Sequence, residues 1–130
     1  MAIIPKTPGI HHIALRCMDF DVTKNFYTNI IGIPLVIDVP GLIIFAAGNV
    51  FIAFKQAGPR DDNYTSFSPF EVGLDHVAMT CETEDELHRF AKGLADAGVE
   101  NTGVKMDEAL QKLYVAFKDP DRIQWEFYMA

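Results

Sequence analysis

The sequence predicts an α+β domain built from two tandem copies of a β-α-β-β-β unit. The stretch Gly9-Ile10-His11-His12-Ile13-Ala14-Leu15-Arg16-Cys17 is restated 64 residues later as Gly73-Leu74-Asp75-His76-Val77-Ala78-Met79-Thr80-Cys81. Such self-similarity at a fixed offset marks an internal duplication. The same offset pairs Asp21 with Asp85 and Phe26 with Phe90, so the likeness runs on into the following element. After each copy, helical spacing gives way to three strand-like runs.

Residues 10–17 alternate and read as the first strand. Asp19 then offers an N-cap to a helix running to Ile31, with Val22, Phe26, Tyr27 and Ile30 at helical spacing and Gly32 as C-terminal cap. Residues 33–39 and 42–47 form a hairpin across Pro40-Gly41, a pair suited to a type II turn. Gly48-Asn49 turns the chain into a strand at 50–56. Residues 57–71, with Gly58-Pro59, Asp61-Asp62-Asn63 and Ser68-Pro69, break the pattern and read as the linker between modules at about 9–56 and 72–130. Its aromatics Tyr64, Phe67 and Phe70 suit either a lid or an apolar anchor. The second copy repeats the plan with a strand at 73–81 and a capping box at Thr83 and Glu86. Leu87, Phe90 and Leu94 then lead to a stop at Gly98. Strands follow near 99–106, 110–118 and 122–129, the last two joined by Asp119-Pro120-Asp121-Arg122.

At 130 residues, 49% hydrophobic and 22% charged, the chain can bury one core without staples. Its net charge of -7 argues against nucleic acid or an anionic membrane surface as partner, because both attract basic patches. Cys17 and Cys81 occupy equivalent repeat positions and read as buried free thiols rather than a disulfide. With no signal-peptide core and no apolar run of about 18 residues or more, the expected compartment is the cytoplasm.

The two β-α-β-β-β copies, with His12-Ile13-Ala14-Leu15, Phe26-Tyr27 before Ile31-Gly32, His76-Val77-Ala78, and Asp119-Pro120-Asp121 before Glu126, resemble the vicinal oxygen chelate superfamily. That superfamily holds glyoxalase I, bleomycin-resistance proteins, extradiol dioxygenases and fosfomycin-resistance enzymes. The resemblance covers essentially the whole chain. It implies sheets curled into half-barrels with helices on the convex side, and a homodimer whose sites gather residues from both subunits. It also implies metal ligands at His12, His76 and Glu126. The fourth ligand position falls on Ala53 when Phe51-Ile52-Ala53-Phe54 is laid over Gln124-Trp125-Glu126-Phe127, and alanine binds no metal. Two imidazoles and one carboxylate suit a divalent ion (Fe, Mn, Zn or Ni) with open positions for a chelating substrate.

Alternation supports the placement of Glu126 independently. Ile123, Trp125, Phe127 and Met129 form the apolar face of the last strand, which puts Gln124, Glu126 and Tyr128 on the opposite one. By the same test Phe51, Ala53, Lys55, Arg16, Tyr114, Ala116 and Lys118 line the concavity, where the cations favour an anionic or enolate-forming substrate. Arg16, Lys55, Tyr114 and Tyr128 are the candidate catalytic side chains. A single histidine on a strand is usually structural, and only the matched pair with Glu126 points to a metal. His11 faces the helix side by alternation, His88 sits among helical charges, and Glu71 and Asp75 read as surface residues.

No one activity carries over whole. The base at the position of Ala53 in glyoxalase I is missing. Extradiol dioxygenases add a histidine and a tyrosine, whereas this chain has no His between 89 and 130 and carries Ala116 at the tyrosine's place. The fosfomycin-resistance threonine after the first ligand is Ala14, and their C-terminal arginine has no counterpart. The expected function is a metal-dependent small-molecule enzyme of lyase, isomerase or dioxygenase type. The alternative is a metal-free binding protein of the bleomycin-resistance kind.

Overall fold

Two four-stranded mixed sheets, one per repeat, carry the structure, a computed structural model that describes residues 1–58 and 66–130. The first contains β1 (His12–Cys17), β2 (Leu35–Val39), β3 (Leu42–Ala47) and β4 (Val50–Gln56), ordered β1-β4-β3-β2. The second contains β5 (Val77–Cys81), β6 (Asn101–Asp107), β7 (Lys112–Lys118) and β8 (Gln124–Met129), ordered β5-β8-β7-β6. In each, the opening strand lies parallel to the last and every other pair is antiparallel. The duplicated α+β plan read from the sequence is the observed one.

Register makes the duplication exact at the residues that matter. Ala14 lies opposite Ala53 in the first sheet, and Ala78 opposite Glu126 in the second. Since Ala14 and Ala78 are repeat partners, Ala53 and Glu126 hold equivalent positions. The hairpin turns at Gly41 with φ 83°, the left-handed geometry that a type II turn needs at its third residue.

The first helix departs from expectation. It is α-helical only over α1 (Phe20–Asn25) and continues as a π-helical stretch, Phe26–Ile31. Asp19 caps it, its Oδ1 accepting from Asp21 N at 2.8 Å and from Val22 N at 3.3 Å. Gly32 closes it at φ 84°, donating to Tyr27 O five residues back. The widened turn changes the buried face. Thr23, Phe26 and Tyr27 are buried, while Val22 and Ile30, expected on the apolar stripe, are exposed. The second helix, α2 (Glu84–Asp96), shows the Thr83 half of the expected capping box, Thr83 Oγ1 accepting from Glu86 N at 3.2 Å, while the Glu86 carboxylate pairs with Arg89 instead, and the helix buries Leu87 and Leu94.

The two halves share one core. Tyr27 of the first half stacks edge-on against Trp125 of the second, with ring centroids 5.8 Å apart. Its hydroxyl accepts from Trp125 Nε1 at 2.8 Å and donates to Asp119 Oδ2 at 2.6 Å. Met18 N reaches Asp121, and Phe67 N donates to Asp121 O. Phe67 packs against the core whereas Phe70 is exposed, so of the linker aromatics Phe67 is an anchor. Tyr64 lies outside the described residues. Ile13, Val50 and Ile52 of the first sheet face Val77, Met79 and Phe127 of the second across an apolar cleft of about 500 Å³. The strand faces bearing His12 and Glu126 are therefore turned away from this shared core. No helix among the described residues is long and apolar enough to cross a membrane.

Candidate metal centre

The second sheet builds a two-residue site. Trp125, fully buried, and Phe127, whose ring lies 4.7 Å from that of Phe90 on α2, fix which face of β8 turns inward. The pleat then sends Glu126 to the other face. His76 stands just ahead of β5, the strand that pairs with β8. Its Nε2 lies 3.3 Å from Glu126 Oε2, and its Nδ1 lies 2.6 Å from Asp75 Oδ1. The imidazole is thus held by its outer nitrogen while its inner nitrogen faces a carboxylate.

Glu126 is only 13% exposed and His76 35%. Burial pushes the Glu126 carboxyl up, His76 opposes this, and the negative charges of Asp107 and Asp75 add to the rise. Desolvating a carboxylate disfavours its charged form, which either a proton or a positive neighbour offsets. An imidazole nitrogen and a carboxylate oxygen converging there are a donor pair that suits a divalent ion.

His12 stands elsewhere. It opens β1 opposite Phe51, and its Nδ1 lies 2.9 Å from His11 Nδ1. Among the described residues no three His, Cys, Asp or Glu side chains assemble into a group that could hold an ion. A single chain therefore brings together His76 and Glu126 and leaves His12 on the other sheet. Ala53, its register equivalent to Glu126, is buried and offers no donor.

The candidate catalytic side chains divide in the same way. Arg16 and Lys55 are register neighbours on the first sheet, with Arg16 Nη1 donating to Gln56 O at 3.0 Å. Tyr114 and Tyr128 are register neighbours on the second, ring centroids 6.0 Å apart. Tyr128 Oη donates to Asp107 Oδ2 at 2.8 Å. Partial desolvation and then Asp107 push the Tyr128 phenol up to about 12, so it stays protonated near neutrality and acts as a donor rather than a base. Lys118 Nζ donates to Gln124 Oε1 at 2.9 Å on the same face, which agrees with the alternation read from the sequence.

Two residues read from the sequence as surface or structural touch the histidines directly. His11 was expected on the helix side. Instead it lies one residue ahead of β1, its carbonyl accepting from Phe51 N at 3.1 Å, and its ring meets those of His12 and Phe51 at 5.2 and 5.5 Å. Asp75 holds His76. The signal available was their place in the repeat, immediately ahead of each histidine. Asp107, which fixes Tyr128, had a weaker signal as a turn-opening aspartate whose Oδ1 accepts from Ala109 N.

Residues 9–127 match the glyoxalase/bleomycin resistance protein/dioxygenase superfamily. An uncharacterized protein of Bacillus subtilis, YwkD, is 26% identical over 127 residues, covering 92% of this chain and 95% of its own. The crystal structure of lactoylglutathione lyase from Agrobacterium tumefaciens is similar with a TM-score of 0.75 at 17% identity, covering 97% of this chain and 96% of that one. That of the fosfomycin resistance protein FosX from Listeria monocytogenes gives 0.74 at 18% identity, covering 96% and 95%.

Proposed function

The chain belongs to the glyoxalase/bleomycin resistance protein/dioxygenase superfamily, and from that membership we propose that it is a metal-dependent enzyme acting on a small, oxygen-rich molecule. The observation that carries the reading is the approach of His76 Nε2 to Glu126 Oε2, 3.3 Å apart. His76 and Glu126 would hold an Fe, Mn, Zn or Ni ion, with His12 as third ligand. The two halves share their apolar faces within one chain, and the partner this reading assigns to the His76 and Glu126 face is the His12 face of a second copy. A two-fold homodimer would make two such sites, each with one half from either subunit.

Bound there, the ion supplies Lewis-acid polarisation of chelating substrate oxygens. The chain's own side chains do the rest. Arg16 and Lys55 place positive charge on the first-half face and suit an anionic or enolate-forming substrate. Tyr128, its single hydroxyl proton held by Asp107 Oδ2, keeps its oxygen lone pairs to accept a hydrogen bond from a substrate hydroxyl. With Ala53 unable to act as ligand or base, the position it occupies is left to substrate. This favours lyase, isomerase or dioxygenase chemistry on a bidentate oxygen ligand.

Metal analysis and subunit mixing test the reading together. The purified protein is expected to bind about one divalent ion per chain. His12→Ala, His76→Ala and Glu126→Ala should each weaken that binding strongly. Co-expressed His12→Ala and His76→Ala chains should regain binding, since a mixed dimer keeps one of its two sites intact. Absence of any specific divalent-ion binding would turn the reading to a metal-free binding protein. Failure of the mixed dimer to recover would refute the shared site.

A further inference from the structure

We propose that Asp75 and His11 are positioning residues that set which nitrogen of the adjoining histidine faces the metal. The inference rests on the reading that His76 and His12 are ligands. It goes beyond that reading by assigning work to two residues outside the ligand set.

The same contact is built twice. Asp75 and His11 are repeat partners, 64 positions apart, each immediately ahead of a ligand histidine. Asp75 Oδ1 lies 2.6 Å from His76 Nδ1, and His11 Nδ1 lies 2.9 Å from His12 Nδ1. Both contacts engage Nδ1, leaving Nε2 as the nitrogen that would face a metal. A carboxylate can only accept, so His76 carries a proton on Nδ1, and in the neutral ring this leaves the Nε2 lone pair free beside Glu126 Oε2, 3.3 Å away. Ligand histidines commonly use their other ring nitrogen in this way, and loss of the partner costs about 10- to 100-fold in affinity.

The two copies differ in how firmly they impose the choice. Two imidazole nitrogens at 2.9 Å need one donor and one acceptor, and either ring can take either role. Only the arrangement in which His12 donates leaves its Nε2 free for a metal. His11 is itself steadied against the Phe51 ring at 5.5 Å, which fixes its position without fixing its tautomer. The second half is thus the firmly set side of the site and the first half the adjustable one. A carboxylate in place of His11 would remove the ambiguity.

The test is Zn(II) titration of the purified protein and its variants, with the imidazole protons followed by ¹⁵N-resolved NMR of the zinc-loaded form. Asp75→Ala should weaken zinc binding about 10- to 100-fold and abolish the protected Nδ1 proton of His76. Asp75→Asn keeps an accepting oxygen and should retain both affinity and proton. His11→Asp should bind zinc more tightly than wild type and give His12 a protected Nδ1 proton. An Asp75→Ala affinity within threefold of wild type, with His76→Ala strongly weakened, overturns this inference while leaving the metal reading intact. Zinc binding unaffected by His76→Ala overturns the metal reading itself. Equal losses in Asp75→Ala and Asp75→Asn would mark Asp75 as a source of charge rather than an acceptor and would also overturn the positioning role.

Discussion

Tyr27→Phe removes one hydroxyl from the middle of a buried relay in which Trp125 Nε1 donates to Tyr27 and Tyr27 donates to Asp119. The indole N–H and one Asp119 oxygen lose their partners where water cannot replace them, at about 1–3 kcal/mol for each stranded group. The expected loss is about 2–6 kcal/mol, a large part of a stability of about 5–15 kcal/mol for a typical domain. Asp119 adds a pH signature. Burial pushes its carboxyl from the usual 3.8 to about 6, against the lowering effect of the Tyr27 hydroxyl and the Ile123 amide. A carboxyl whose folded pKa is raised contributes stability that is complete below the unfolded pKa and is lost as pH rises through the folded one. From pH 4 to pH 7 the loss from this group is about 2 kcal/mol. Urea unfolding at fixed protein concentration, followed by the fluorescence of the single tryptophan, measures both effects. Asp119→Asn should flatten the pH 4–7 profile relative to wild type by about that amount. A Tyr27→Phe loss below about 0.5 kcal/mol, or an Asp119→Asn profile parallel to wild type, would refute the reasoning.

Ala53→Glu places a carboxylate at the register equivalent of Glu126 and should tighten metal binding while blocking whatever turnover the wild type shows; affinity and turnover both unchanged would mean that residue 53 does not face the metal. Leu87→Ala empties a fully buried site on α2 and should cost about 2–5 kcal/mol in the same urea assay. Cys17 and Cys81 are each 1% exposed, with thiols pushed up by burial, so alkylation in native buffer should follow the rate of unfolding; rapid modification of either would contradict its placement in the core. Static light scattering at micromolar concentration should give the mass of a dimer, and a monomer mass would remove the second copy on which the shared site depends.

The sequence carried the repeat plainly, because a strand's period of two residues is written in its side chains. The alternation of Ile123, Trp125, Phe127 and Met129 sufficed to turn Glu126 outward, and the overlay of residues 51–54 on 124–127 is the register observed. What failed lay where periodicity stops. His11 lies one residue ahead of β1, its carbonyl accepting from Phe51 N while its ring turns to His12 and Phe51, so counting by twos sent it to the wrong face. The π-helical stretch at Phe26–Ile31 moved Ile30 out of the core, since a pattern of 3.6 residues per turn does not describe a wider turn. The contact between Tyr27 and Asp119 joins residues 92 positions apart and left no local trace. Separation of His12 from His76 and Glu126 within one chain depends on how two sheets pack, which neither repeat encodes alone.

The joining of both halves through Tyr27 and Trp125 has a bearing on how such a molecule can come apart. A unit of about 60 residues is marginal as an independent folding body. Here each unit also leaves its apolar sheet face unfinished until the other covers it. Unfolding should accordingly proceed in one step, with a denaturant slope proportional to the surface of the whole chain rather than of either repeat. Separately produced polypeptides spanning 1–58 and 66–130 should each remain largely unstructured and regain structure only on mixing, when the indole of Trp125 finds the ring of Tyr27. Gene duplication in this chain has produced two copies that no longer stand as two folding units.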